Sequence, residues 1–194
     1  MRMTTKPLTV LLIILFGFGQ STISESGSIA KPKTGNFEIS FSDYIQKITH
    51  IELPFKTTCD QELENLQLDF SQTVINQFGP ENSKIFGKLS ENKNFVAIIY
   101  LYPADIVLPI IQTTDRNGKK ISALSLFDSY CGEDEFSWST ARAQVNTDLT
   151  ILLSDSTITY ERDSKGEIVG STRKTVVRNR SFYFNEKGEI LEKK

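Results

Sequence analysis

The sequence predicts a mainly β protein, an antiparallel meander of about eight strands that can curl toward a barrel, with two short helices at its N-terminal side. The first observation is an uninterrupted apolar run over residues 95–102, which is rich in β-branched and aromatic side chains and too short for a buried helix. The second is a period-two pattern from residue 84 onward, and the third is a series of glycine-containing turns between the runs. We therefore expect residues 95–102 to form a central strand that is covered on both faces.

The N-terminal residues 1–19 have the composition of a signal peptide. Arg2 and Lys6 precede an apolar stretch over residues 8–18, and the small residues Gly17 and Gly19 are spaced for a signal peptidase. An uncleaved anchor is the alternative, but about 11 apolar residues fall short of the roughly 20 that span a bilayer. Residues 20–35 then form a flexible leader, residues 36–194 a single β-rich domain, and the protein is expected to be secreted or periplasmic.

The first predicted helix begins at Ser40 or Ser42, either of which can act as the N-cap. Its apolar residues recur with the spacing of one helical face: Phe41, Tyr44, Ile45 and Ile48. Pro54 ends the pattern, and a short strand over residues 50–55 can follow.

The second predicted helix begins near Asp69, which stands in capping-box spacing with Gln72. Its apolar residues recur at every fourth position: Phe70, Val74 and Phe78. Gly79 and Pro80 then end the helix.

Eight segments have the pattern of strands: 84–89, 95–102, 106–114, 119–127, 136–145, 149–154, 157–162 and 172–184. The clearest hairpin joins the third segment to the fourth, because Gly118 in the intervening turn can take the positive φ that a type I turn with a bulge requires. Pro109 lacks a ladder donor, which indicates that residues 106–114 form an edge strand or carry a bulge.

Three turn segments have similar sequences: DRNGKKI from Asp115, DSKGEI from Asp163 and NEKGEI from Asn185. Each places an acidic or amide residue before a glycine and an isoleucine after it. We interpret them as one hairpin chemistry used three times, since the intervening strands do not align as repeats.

The chain has two cysteines, Cys59 and Cys131. In an oxidising compartment they are expected to form a disulfide, and two free thiols are the alternative. Closing a loop of about 72 residues contributes on the order of 4 kcal/mol in the chain-entropy model.

The formal charge of -2 gives no reason to expect a nucleic-acid partner. No cofactor-binding motif is present, so the sequence predicts no cofactor, and it leaves the identity of a partner unknown. Membrane contact is expected only through the signal peptide before its cleavage.

Candidate catalytic or metal-binding residues are few. His50 is the single histidine, whereas zinc sites commonly draw on several His and Cys residues. A Ser-His-Asp triad would have to use His50. The densest acidic loop is Cys131-Gly-Glu-Asp-Glu135, with Asp128 just before it, and its carboxylates could hold Ca²⁺. A hydrated surface loop is the simpler interpretation. Glu133 and Glu135 on one loop have no reason to lie across a sugar as a glycosidase pair does.

Phe136 and Trp138 alternate with serines and therefore share one face of their strand. They are candidates to face a ligand in a cleft, although an aromatic pair of this kind is more often packed in the core.

The last long strand carries Arg173, Lys174, Arg178 and Arg180. These side chains could form an anion-binding stripe, but Lys and Arg on a terminal strand also prevent edge-to-edge association, which is the interpretation we favour.

The segment LYPADIVLPIIQTTDRNGKKI, the DLTI at residues 148–151 and the terminal NEKGEI together resemble a loose group of uncharacterised small secreted β-rich proteins of Gram-negative bacteria. The resemblance covers roughly residues 48–190. It implies a fold and an export route, and it carries over no catalytic residue.

The sequence thus predicts a secreted or periplasmic non-enzymatic β domain with a binding or scaffold role. The common catalytic constellations lack parts in this chain. The alternative is a secreted hydrolase that uses the acidic-loop carboxylates or His50.

Overall fold

Ten strands and two short helices make up the part of the chain that the computed structural model describes, residues 39–61, 63, 70–127, 131–135 and 137–194. The expected signal peptide and leader, together with Asp69, Asp128 and Phe136, lie outside the described residues. In chain order the elements are α1 (Phe41–Lys47), β1 (Phe55–Thr58), α2 (Gln72–Phe78), β2 (Lys84–Glu91), β3 (Val96–Tyr102), β4 (Leu108–Thr114), β5 (Lys120–Ser125), β6 (Gly132–Asp134), β7 (Ser137–Val145), β8 (Ile151–Arg162), β9 (Ile168–Phe184) and β10 (Ile190–Glu192).

The strands form two antiparallel sheets. Sheet A has the order β2-β3-β4-β5, and sheet B has the order β1-β7-β8-β9-β10, with the short β6 also paired to β7. Among the described strands neither sheet closes into a barrel. The predicted mainly β antiparallel fold is confirmed, with the meander divided between the two sheets.

Strand β3 is buried along almost its whole length, as its apolar sequence predicts. Val96, Ile98 and Tyr100 pack in a cluster with both helices, whereas Ala97 and Ile99 pack in a second cluster with residues of sheet B. The successive side chains of a strand point to opposite faces, so β3 supports two apolar layers at once. The helices cover one face of sheet A, and sheet B covers the other.

Both predicted helices are present. Ser40 is the N-cap of α1, and its Oγ accepts a hydrogen bond from the backbone N–H of Asp43 at 3.1 Å. Helix α2 begins at Gln72 after Ser71, whose side chain makes no capping hydrogen bond. The side-chain amide of Gln112 on β4 donates to the carbonyl oxygen of Phe78 at 2.6 Å and so fixes the end of α2 on sheet A.

Pro109 predicted that residues 106–114 form an edge strand or carry a bulge. The prediction of an edge strand is wrong, whereas the pairing of β4 with β5 does contain a register irregularity. Strand β4 lies between β3 and β5, and its one register shift falls at Thr113 and Thr114. The carbonyl oxygen of Pro109 accepts from the backbone N–H of Leu126, beyond the last residue of β5. The nitrogen of a strand residue points to the same side as its carbonyl, so the missing donor faces Leu126, and the ladder lacks only this one bond just beyond the end of β5.

The two predicted strands 149–154 and 157–162 are one strand, β8. The polar pair Asp155 and Ser156 suggests a break in the sequence, but both residues continue the ladder with β9. Asp155 lies in an ion pair with Arg180, 3.5 Å between Oδ2 and Nη2, and this pairing accounts for a carboxylate within the strand.

The three related turns have one geometry, as their sequences predict. The side-chain oxygen of the first residue, Asp115, Asp163 or Asn185, accepts hydrogen bonds from the second and fourth following N–H groups. The glycine of each turn, Gly118, Gly166 or Gly188, has a φ of 83 to 86°. Each turn is therefore stabilised by the same local hydrogen bonds.

A fourth turn has the same backbone hydrogen bonds without a glycine. The N–H of Asn146 donates to the carbonyl of Thr150, and the N–H of Leu149 donates to the carbonyl of Asn146. Leu149 therefore occupies the position of the glycines, with a φ of 63°. A leucine in this left-handed conformation is strained by about 1–2 kcal/mol.

The predicted disulfide between Cys59 and Cys131 is confirmed, with Cα atoms 6.0 Å apart. It joins the residue after β1 to the residue before β6. Within the described residues, no helix is long and apolar enough to cross a membrane.

Candidate ligand-binding cleft

A cleft of about 320 Å³ lies on sheet B around Trp138. It is lined by Glu133, Asp134, Glu135, Ser137, Trp138, Ile158, Tyr160 and Ile168, and we call it the Trp138 cleft. Three of these residues come from adjacent strands in register, since Glu133 of β6 lies opposite Trp138 of β7 and Trp138 lies opposite Ile158 of β8. The cleft thus combines side chains that the pairing of β6, β7 and β8 brings together.

The position of Trp138 follows from the alternation along β7. Ser139, Ala141, Ala143 and Val145 are buried, and the last three belong to the core between the sheets. Trp138 has the opposite parity and points to the other face of sheet B, where 48% of its surface is exposed. Trp138 is therefore not a core residue, and its role toward a ligand stays a prediction.

Isoleucines and a tyrosine extend the apolar surface of the cleft. Ile158 and Tyr160 have the same parity on β8, and both are partly buried. Ile168, at the start of β9, is paired with Arg162 and is 55% exposed. The β8–β9 hairpin thus brings Ile168 back to the cleft.

The acidic loop forms the polar rim of the cleft. Glu133 and Asp134 lie in β6, and Glu135 lies in the turn to β7, with all three exposed. The guanidinium of Arg162 binds the Glu135 carboxylate at 3.2 Å and also donates to the Glu135 carbonyl oxygen at 3.2 Å. Three carboxylates and one neutralising guanidinium give the rim a net negative charge.

The other catalytic candidate from the sequence, His50, does not lie in the Trp138 cleft. His50 is exposed and forms a single β-bridge with Lys88 of sheet A. The cleft lining contains no histidine. In the part of the chain that the structure describes, no three His, Cys, Asp or Glu side chains are grouped so that they could hold a metal ion.

The sequence indicated only part of the cleft. Trp138 was recognisable from the sequence as a candidate ligand-facing aromatic, and the acidic loop as a dense run of carboxylates, but the exposure of Trp138 was not predicted. Tyr160, Ile158 and Ile168 were not, because their contribution depends on the pairing of β7, β8 and β9. The alternation of Ile158 and Tyr160 along β8 is the signal that could have indicated them.

A second groove, of about 470 Å³, is lined by the turns before β3, before β8 and after β9. Its polar side chains largely stabilise those turns. The side-chain oxygen of Asn92 accepts from two backbone N–H groups, Asp148 binds Thr150 through both oxygens, and Asn94 donates to the carbonyl of Glu186. The Trp138 cleft differs from this groove in its half-exposed tryptophan.

Comparison with known proteins finds no matching family model, no matching curated protein sequence and no matching solved structure.

Proposed function

We propose that this chain is a non-enzymatic β domain that binds a small organic ligand in the Trp138 cleft. The single observation that carries the proposal is a tryptophan with 48% exposure in a lined cleft, beside Tyr160 and an acidic rim. Leaving a large apolar ring in water is unfavourable unless a partner covers it, and clefts with a few convergent polar groups are the usual form of small-molecule sites.

The lining determines which ligands fit. The indole and the two isoleucines offer an apolar surface, and the carboxylates accept hydrogen bonds but donate none. Such a site favours an organic cation, which gains from the indole ring and the negative rim, or a hydroxyl-rich ring that stacks on the indole. It disfavours anions.

A hydrolase remains the second candidate, because Glu133 and Glu135 both line the cleft. The Glu135 carboxylate is bound by the Arg162 guanidinium, and the cleft lining contains no histidine that could act as a general base. A binding domain therefore fits the acidic rim of the Trp138 cleft better than a hydrolase does. Hydrolysis of a glycoside substrate that is lost in Glu135→Gln would establish the second candidate instead.

Export from the cytoplasm is part of the proposal. The disulfide is compatible with an oxidising compartment, and the composition of residues 1–19 supports secretion or transfer to the periplasm. The resemblance of the sequence to a loose group of secreted β-rich proteins agrees with this. The intact mass of the exported protein should show cleavage shortly after Gly19, whereas retention of residues 1–18 in a membrane fraction would contradict it.

Ligand binding can be measured by the fluorescence of Trp138, the single tryptophan of the chain. We expect choline or maltose to change the emission with saturation, while an anionic sugar acid does not. Glu133→Gln should weaken choline binding several-fold, since it removes a carboxylate from the rim. The matched control is Glu189→Gln, an exposed carboxylate on a distant turn.

The stability of Trp138→Ala separates a cleft from a packed site. Truncating a buried tryptophan to alanine lowers the free energy of unfolding by about 3–5 kcal/mol, and truncating a half-exposed one should lower it clearly less. Emission that neither choline nor maltose changes, at concentrations up to tens of millimolar, would contradict the proposed site.

A further inference from the structure

We infer that the free edge of β9, residues 174–180, is a docking surface for an extended acidic segment of another protein, which adds to sheet B as a further strand. Strand β10 pairs only with Phe182–Phe184 of β9, and the N–H of Lys193 bonds the carbonyl of Ser181. Among the described residues no strand pairs with residues 174–180 on that side. We call this segment the β9 edge, and it offers roughly 23 Å of unpaired backbone.

The β9 edge is a regular strand, and the one register shift in the pairing of β8 with β9 lies just outside it. The pairing of β8 with β9 passes from Thr159 and Lys174 directly to Glu161 and Val169. The hydroxyl of Thr172 fills the interruption, since it accepts from the N–H of Glu161 at 2.8 Å and donates to the carbonyl of Val169 at 2.6 Å. From Lys174 onward, the ladder with β8 is continuous to Phe182.

The apolar residues of the β9 edge are exposed on both faces of the sheet. Val176 is 65% exposed and Val177 is 55% exposed, although adjacent strand residues point to opposite faces. Two β-branched residues of this kind are typical of a strand that is covered on both sides. An added strand would place side chains beside both valines.

The basic charge of β9 favours an acidic segment as the added strand. Strand β9 contains four basic residues, Arg173, Lys174, Arg178 and Arg180, and no acidic residue. Lys174 is paired with Glu161 and Arg180 with Asp155, whereas Arg173 and Arg178 have no ion-pair partner among the described residues. These two guanidinium groups are available to carboxylates of an incoming strand.

Other occupants fit less well. A second copy of the β9 edge would bring basic side chains opposite basic side chains, which is unfavourable across a strand pair. The leader, residues 20–35, has Glu25 as its one acidic residue against Lys31 and Lys33, so it is not acidic. The same charges that prevent self-association therefore favour an acidic partner.

The test uses an acetylated seven-residue peptide of alternating Glu and Val. We expect it to bind the protein and to shift the backbone amide resonances of residues 174–180. Two control peptides are matched to it, one with Lys in place of Glu and one that keeps Glu but is N-methylated at alternate residues. Neither should bind, because the first removes the charge match and the second removes the ladder donors.

Variants identify the charges. Arg173→Gln with Arg178→Gln should weaken binding of the acidic peptide roughly 5-fold to 10-fold. The control pair Lys119→Gln with Lys165→Gln makes the same change of net charge at exposed turn positions and should alter binding less than about twofold. Equal affinity for the basic peptide, unchanged binding after N-methylation, no binding at all, or dimerisation through the β9 edge would each overturn the inference.

Discussion

The hydroxyl oxygens of Tyr44 and Tyr100 lie 3.1 Å apart between helix α1 and sheet A, where both side chains are fully buried. They share one hydrogen bond across 56 residues of sequence. Burial raises the pKa of Tyr44 to about 12, although its hydrogen bond to Tyr100 lowers the pKa slightly. Burial, with the neighbouring Tyr44 as a further cause, raises the pKa of Tyr100 well above its ordinary value.

We expect the single substitutions Tyr44→Phe and Tyr100→Phe each to lower the free energy of unfolding by about 1–3 kcal/mol, because each leaves one buried hydroxyl unpaired. The double substitution should cost less than the sum of the two, since it removes both partners and keeps both rings. Urea unfolding of the four proteins measures this coupling. Strictly additive losses would show that the hydrogen bond contributes nothing.

The same pair predicts a loss of stability at alkaline pH. In the unfolded chain a tyrosine ionises near pH 10, but in the folded chain Tyr44 stays protonated up to about pH 12. The unfolded state therefore binds fewer protons over this interval, and stability falls as pH rises from 10 to 12 by about 1.4 kcal/mol per pH unit for each such tyrosine. Below pH 10 the contribution is fully present.

Unfolding free energies measured from pH 9 to pH 11 can check this pH dependence. The Tyr44→Phe, Tyr100→Phe double variant should lose the extra slope, and the exposed Tyr183→Phe should retain it. An identical slope in all three proteins would exclude the tyrosine pair as its cause.

Two glycine turns offer a matched test of packing. Gly118 has a φ of 86° and Gly166 a φ of 83°, so alanine is strained equally at both, by about 1–2 kcal/mol. A Cβ at Gly118 would lie 2.8 Å from the Phe78 ring and 2.9 Å from the Phe41 ring, whereas at Gly166 the nearest atom is Arg162 Nη1 at 3.9 Å. We expect Gly118→Ala to be more destabilising than Gly166→Ala by about 1–3 kcal/mol in chemical denaturation. Equal costs would mean that the two rings move aside freely.

At position 149 we expect the glycine variant to be more stable than the alanine variant, which is the reverse of the usual order within a strand. At φ 63° glycine is unstrained and alanine is not, so Leu149→Gly should be more stable than Leu149→Ala by about 1 kcal/mol. Leu152 is the control, since it is an exposed residue within β8, where glycine should be less stable than alanine by roughly 0.5–1 kcal/mol. Thermal unfolding of the four variants decides the matter, and the same order at both positions would contradict the strain at Leu149.

Local chemistry explains which parts of the fold could be predicted from the sequence. The spacing of Phe41, Tyr44 and Ile45 predicts α1, because a helical face depends only on nearby residues. Gly118 and its two counterparts predict their turns, because a positive φ is a local requirement. Strand β3 is recognisable as buried on both faces because its apolar run is uninterrupted.

The remaining features depend on contacts that are distant in sequence. Asp155 suggests a strand end until Arg180 is known to lie beside it. Pro109 suggests an edge until Leu126 is known to bind its carbonyl beyond the end of β5. In the candidate cleft, Trp138 was recognisable by its parity, while Ile168 enters only through the β8–β9 pairing.

Strand β1 differs from the other strands in how far it lies from its partner along the chain. Phe55 of β1 pairs with Val145 of β7, and the whole of sheet A lies between them in sequence. The other named strand pairs join neighbours in the chain and can form as local hairpins within microseconds. In the reduced chain, closing the long loop to β1 costs more entropy than closing any hairpin, so we expect β1 to dock last and to limit the folding rate. The Cys59–Cys131 disulfide already closes most of that loop. We therefore expect the oxidised chain to refold faster than the reduced chain.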